Sequence, residues 1–228
     1  FVNWVVAKQA PTRDEMMIGS LNGTGADLTI QTCINGCDTT AKFTKQWTNS
    51  GTTKVLSCNI ANSANCVRPF DIGYLSLTGS AMVVYTDNVD DLVYYAIWNG
   101  TAWSPDTTPG TPSATNQINL PGTAGSGTWI RVIPQGENLA DKRSNQAMVL
   151  VADDNRDLHA LYWNGLTFSG TTLETSLLTC HLGQCIDGAW SGTGQFILTY
   201  HDSTTATALR YQIYKVTTDV WTSEKTAG

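Results

Sequence analysis

The sequence is short of charge. Of its 228 residues, 13 are Lys or Arg and 19 are Asp or Glu, 14% in all, and the basic residues form no cluster. A net charge of −6 without a basic patch removes the footprint that a phosphate backbone requires, which excludes nucleic acid as an expected partner. Long hydrophobic runs are also missing. No window approaches the 18 apolar residues of a spanning helix, so no membrane insertion by this segment is expected, and Phe1-Val2-Asn3-Trp4-Val5-Val6 is too short for a signal peptide. The chain lacks an initiator Met, and we expect it to be a processed or excised piece of something longer. Helical spacing is absent as well, since no long segment repeats its apolar residues every 3.6 positions between caps.

Catalytic signatures are equally scarce. The chain holds three His (His159, His181, His201), no Gly-x-Ser-x-Gly elbow and no Ser-x-Asp-x-Gly-x-Thr-Trp box. Its arginines, Arg13, Arg68, Arg131, Arg143, Arg156 and Arg210, are scattered along the sequence. No converging acid–base or nucleophilic set emerges, and the chain is expected not to be an enzyme.

What is present is turn-rich β sequence with eight Trp and eight Tyr. Ala81–Tyr85, an acidic turn, Leu92–Trp98, Asn99-Gly100 and Trp103 make one phrase. Ala147–Val151, another acidic turn, Leu158–Trp163, Asn164-Gly165 and Phe168 repeat it. Extended over the chain, the pattern gives four units of four short strands, at about 1–50, 67–104, 128–170 and 186–224, read as one repeat domain. The units alternate: Trp4-Val5-Val6 matches Trp129-Ile130-Arg131-Val132, and Phe70-Asp71-Ile72-Gly73-Tyr74 matches Ile186-Asp187-Gly188-Ala189-Trp190. Asn35-Gly36 reads as a two-residue hairpin turn between strands ending at Cys33 and starting at Phe43. Ser104 to Gly127, rich in Pro, Thr and Gly, reads as a variable connection.

Four short antiparallel strands cannot bury their own apolar faces, and radial stacking of such sheets solves this. The expected fold is therefore all-β, a β-propeller of four four-stranded antiparallel blades that is complete in itself or part of a larger or open array. The phrases Phe70–Tyr74, Ser80–Tyr85 and Trp98-Asn99-Gly100-Thr101-Ala102-Trp103-Ser104 resemble the tandem repeats of large secreted or surface-displayed prokaryotic proteins of mostly unknown function. The resemblance implies an extracellular propeller-like array and transfers no catalytic residue.

Three kinds of site follow from the residues. Six Cys lie in close pairs, Cys33 with Cys37, Cys58 with Cys66 and Cys180 with Cys185, without metal-ligand spacing; three local disulfides and an extracellular or cell-surface setting are expected. The acidic turns, Asp87, Asp90 and Asp91 and their repeat partners Asp153, Asp154 and Asp157, are turn formers that also offer oxygens to Ca²⁺, the one cofactor considered. Trp98, Trp103 and Trp163 are read first as packing between outer strands and second as a stacking platform for sugars. Asn22-Gly23-Thr24 and Asn99-Gly100-Thr101 form glycosylation sequons, the second better explained as a turn. The expected role is a non-catalytic structural or adhesive module of a cell-surface protein or appendage, with other protein subunits or surface glycans as partners. The alternative is a lectin-like carbohydrate-binding propeller assisted by Ca²⁺.

Overall fold

The computed structural model describes residues 2–22, 27–49, 68–86, 92–107, 109–110, 113–122, 125–136, 143–175, 177, 184–202 and 208–227. Cys58, Cys66, Cys180, Asp87, Asp90 and Asp91 lie outside them.

Four antiparallel sheets follow one another along the chain. Blade 1 holds β1 (Val2–Gln9), β2 (Glu15–Asn22), β3 (Leu28–Ile34) and β4 (Phe43–Asn49), in that order from the inside. Blade 2 holds β5 (Phe70–Tyr74), β6 (Ala81–Thr86) and β7 (Leu92–Trp98), with β8 (Trp103–Ser104) and β9 (Gln117–Asn119) both pairing with β7. Blade 3 holds β10 (Gly127–Pro134), β11 (Ala147–Asp153), β12 (Leu158–Trp163) and β13 (Phe168–Glu174). Blade 4 holds β14 (Ile186–Trp190), β15 (Gln195–His201) and β16 (Leu209–Lys215), with β17 (Val220–Trp221) and β18 (Lys225–Thr226) both on β16. The described residues contain no α-helix, and no helix is long and apolar enough to cross a membrane.

Burial explains why the inner strands read as they do. Every residue of β5, β6 and β11 is buried, because blades 2 and 3 are covered on both faces, and such strands lose their alternation. In β2 and β15 buried residues alternate with half-buried or exposed ones instead, because among the described residues blades 1 and 4 have a neighbour on one face only. Three apolar layers result, each between consecutive blades. Met17, Leu21 and Ile30 of blade 1 meet Phe70, Ile72 and Tyr85 of blade 2. Met82 and Val84 meet Ile130, Val132 and Val149 of blade 3. Met148 and Leu150 meet Phe196, Leu198 and Tyr200 of blade 4. Burying each such side chain is worth about 1.5–3 kcal/mol, so these layers dominate cohesion.

Two local expectations are corrected. Asn35 and Gly36 do both take positive φ (61° and 77°), but the chain does not return as a two-residue hairpin. A disulfide between Cys33 and Cys37 and a 3-10 turn at Thr40–Lys42 lengthen the loop, and β4 starts at Phe43. The connection from Ser104 to Gly127 is not merely a loop, since β9 within it completes the outer edge of blade 2.

Candidate ligand cleft between the second and third blades

β7 carries two consecutive tyrosines, which a strand sends to opposite faces. Tyr94 turns toward blade 1 and stacks on Tyr85 with ring centroids 5.8 Å apart. Tyr95 turns toward blade 3, 5.1 Å from Phe168 and 6.0 Å from Trp163. It forms a wall of a cleft of about 370 Å³ between the outer parts of blades 2 and 3. Leu75, Ile97, Pro105 and Trp163 supply apolar surface there, Thr78, Ser80, Ser104, Asn99 and Asn145 supply hydroxyls and amides, and Leu166, 84% exposed, stands at the lip.

Hydrogen bonds between the two blades fix the shape of the cleft. Ser76 donates its hydroxyl to the carbonyls of Gln135 (2.6 Å) and Ser144 (3.2 Å), and the Ser144 N–H donates back to it at 2.8 Å. The Leu77 N–H donates to Ser144 O, and the Thr78 N–H to Asn145 Oδ1. The Asn99 Oδ1 accepts the Thr101 and Ala102 N–H groups in a turn that the Asn-Gly sequence dictates. Only Gly100 of that pair has positive φ, so this is an Asx turn and not the two-glycine-like turn of Asn35-Gly36. Asn164 repeats it, accepting from Leu166 and Thr167. Burial pushes the Tyr95 phenol above its ordinary pKa, and among the described residues no group bonds its hydroxyl. Among the described residues, nothing that lines the cleft is charged, imidazole-bearing or thiol-bearing.

The tryptophans named from sequence do different work. Trp98, Trp103 and Trp163 are 7%, 8% and 5% exposed, so none presents a free ring face, which corrects the stacking-platform expectation. Trp98 and Trp103 lie 5.3 Å apart between blades 1 and 2, where Trp98 Nε1 donates to Glu15 and Trp103 Nε1 to Gln46. Trp163 reaches the cleft at an edge while its ring packs on Phe168 at 4.9 Å.

The acidic turn of blade 3 is a latch. Asp153 Oδ1 accepts the Asp157 N–H, Oδ2 accepts the Gly125 N–H, both at 2.7 Å, and His159 Nε2 sits 3.2 Å from Oδ2. Burial would raise the Asp153 pKa, but these donors hold it below the ordinary value; Asp157, partly desolvated beside Asp153, is raised. Ligand atoms of Asp153, Asp157 and His159 lie within 4.8 Å of one another, while Asp154 contributes none. With an imidazole in the set and both Asp153 oxygens engaged, the group does not fit the all-oxygen shell Ca²⁺ prefers.

At the centre, two of the arginines that are scattered in sequence come together. Arg68 binds the buried Asp71 at 2.6 Å, and Arg131 binds Asp187 at 3.1 Å. Burial lowers the Arg68 pKa and raises that of Asp71. Lys8, Arg131, Asp187 and Trp190 line an axial cavity of about 190 Å³ there. Cys185 is disulfide-bonded, as Cys33 and Cys37 are.

Neither a family model nor a curated protein sequence matches the chain. Solved structures do. The lectin of Aleuria aurantia in complex with α-methyl-L-fucoside matches 98% of this chain at TM-score 0.51 and 13% identity, and the same lectin is described as a six-bladed β-propeller. The fold is that of a β-propeller. This propeller chain spans about 60% of the length of that lectin. The NanB sialidase of Streptococcus pneumoniae matches 89% of the propeller at TM-score 0.50 and 11% identity, over 28% of its own length.

The sequence did not single out Tyr95, Thr78, Ser80 or Asn145. Their signal was the difference between otherwise similar units, since the cleft opens beside Ser104 and Pro105, where the copies diverge.

Proposed function

We propose that this chain is a non-catalytic, carbohydrate-binding propeller module that works outside the cell and holds an uncharged sugar in the cleft between blades 2 and 3. The observation that carries the reading is the half-buried Tyr95, whose hydroxyl has no partner among the described residues, in an aromatic cleft whose described lining carries no charge and is rimmed by amides and hydroxyls. A sugar presents C–H faces to aromatic edges and hydroxyls to phenols and amides, and so matches that lining. The absence of carboxylate and imidazole groups among the described lining residues favours holding over cleaving. The fucoside-bound lectin with the same fold supports sugar binding, and the disulfide at Cys33–Cys37 supports an oxidising compartment.

A glycan array followed by titration calorimetry tests this. Neutral monosaccharide termini are expected to bind, Tyr95→Phe is expected to weaken binding about tenfold, the equivalent of one lost hydrogen bond near 1.4 kcal/mol, and chelators are expected to leave it unchanged. Silence across the array, or binding indifferent to Tyr95→Ala, would sink the reading. Mass measurement of the unreduced protein tests the compartment, for which six free thiols would be the contrary result.

A further inference from the structure

We propose that a second cleft, between the outer parts of blades 3 and 4, binds an organic ammonium group over its aromatic rings and against the Asp219 carboxylate.

This cleft stands to blades 3 and 4 as the Tyr95 cleft stands to blades 2 and 3. Met148 pairs with Tyr162 as Met82 pairs with Ile97, and Leu150 with Ala160 as Val84 with Tyr95. On the facing blade, Tyr214 pairs with Trp221 across a turn that holds Asp219, as Trp163 pairs with Phe168 across a turn that holds Leu166. Both clefts lie at contacts between consecutive blades within the chain, and no residue lines both. Two exchanges separate their chemistry. Tyr162 stands where Ile97 stands and Ala160 where Tyr95 stands, so the tyrosine has moved two positions along its strand and kept its face. At the lip, a carboxylate replaces the side chain of Leu166.

Tyr162, Tyr214, Trp221 and Asp219 line a cavity of about 230 Å³. The Tyr214 ring centroid lies 5.1 Å from that of Tyr162 and 5.2 Å from that of Trp221. Tyr162 and Trp221 are only partly buried, so ring surface is left for a ligand. The Tyr214 hydroxyl donates to Asp219 Oδ1 at 2.5 Å, which ties the carboxylate to the rings, and Oδ2 accepts no hydrogen bond among the described residues. Burial and, after it, the charge of Asp219 raise the Tyr162 pKa, so the field of that carboxylate is felt inside the cavity. Among the described residues no cation lines the cleft. Aromatic faces and a carboxylate both present negative charge, which disfavours an anion. An ammonium group satisfies both at once, the rings through cation–π attraction and Asp219 through a charge-assisted contact.

Titration calorimetry of the purified chain with tetramethylammonium chloride reads this cleft alone, since the probe has no hydroxyl to offer the Tyr95 cleft. Binding is expected. Asp219→Asn keeps an acceptor for Tyr214 and removes the charge, and is expected to weaken binding about tenfold. Choline and its uncharged analogue, in which a tert-butyl group replaces the trimethylammonium, share one shape, and only choline is expected to bind. Choline and glucosamine then distinguish the two sources of such a group, a quaternary head group and an amino sugar. The source is the one bound more tightly by wild type and weakened by Asp219→Asn. Circular dichroism confirms folding; if Asp219→Asn unfolds, Tyr162→Leu takes its place with the same expected loss. A wild type that binds no tetramethylammonium overturns the proposal, as does a folded variant of undiminished affinity or equal affinity for choline and its uncharged analogue.

Discussion

Trp98 donates its indole N–H to Glu15 Oε2 at 3.1 Å, fastening the outer end of β7 in blade 2 to the first residue of β2 in blade 1. Glu15 also accepts the Tyr74 hydroxyl at 2.8 Å and both arms of the Arg13 guanidinium, at 2.7 and 3.0 Å. Arg13 in turn lies 5.8 Å over the Tyr74 ring. Burial alone would raise the Glu15 pKa; the Arg13, Tyr74 and Trp98 donors outweigh it and hold the carboxyl below 4.5. Four donors therefore converge on one buried anion, which makes it a clamp between the two blades rather than a reactive group.

A depressed carboxylate pKa contributes stability that is present above the unfolded value of 4.5 and is lost as pH falls through the folded value. Urea midpoints should accordingly drop as the solution is acidified below that value, and Glu15→Gln should flatten that part of the dependence. Glu15→Ala leaves the Arg13 charge and two buried donors without their partner and should cost about 3 kcal/mol at neutral pH. An acid profile identical in the wild type and Glu15→Gln would show that the clamp carries no linkage.

A Cβ added to Gly73 of β5 would lie 2.7 Å from Val132 and 2.8 Å from Pro134 of β10, so the contact is with the body of Val132 and the ring of Pro134. Neither side chain is a flexible tip that swings aside. Gly73→Ala should therefore destabilise by about 1–3 kcal/mol through overpacking, measured by urea denaturation. The reverse change at the equivalent place, Ala189→Gly, removes an exposed methyl and should cost less than about 1 kcal/mol.

The blades were legible in the sequence because their cause is local: apolar runs such as Ala81–Thr86, bounded by turn residues, are what a strand covered on both faces requires. The alternation of unit types was legible too, and it reappears as identical registers in β1/β2 and β10/β11. What the sequence concealed depends on long-range placement. Arg68 and Arg131 stand far apart in sequence and meet only because β5 and β10 lie side by side at the centre. The aromatic residues were visible, but which face of β7 Tyr94 and Tyr95 each serve is decided by the neighbouring blade. Asp153 could be read as a turn former that also offers oxygens to a cation because its spacing was visible, whereas its backbone partner, the Gly125 N–H, was not.

The blade 3 latch ties Pro121 and Gly125 to the sheet, since Asp153 accepts the Gly125 N–H, and Thr172 donates to Pro121 O at 2.9 Å and sits 3.1 Å from His159 Nδ1. His159→Leu keeps the bulk but leaves the buried Asp153 one partner short, and should lower stability by about 1–3 kcal/mol. Since hydrogen bonds already occupy the group, adding Ca²⁺ or removing divalent ions with EDTA should leave the melting temperature unchanged. A clear upward shift with Ca²⁺ would instead make the turn a cation site.

Tyr95 and Trp163 touch the same cleft but should fail in different ways. Trp163 is buried against Phe168 and Tyr95, so Trp163→Ala opens a cavity between blades 2 and 3 and should cost about 3–5 kcal/mol in stability. Tyr95→Phe removes only a hydroxyl that no described residue bonds, so denaturation midpoints should match the wild type while sugar affinity falls. Loss of stability in Tyr95→Phe equal to its loss of affinity would mean that the hydroxyl serves packing between the blades. Full affinity in a folded Trp163→Ala variant would restrict recognition to blade 2.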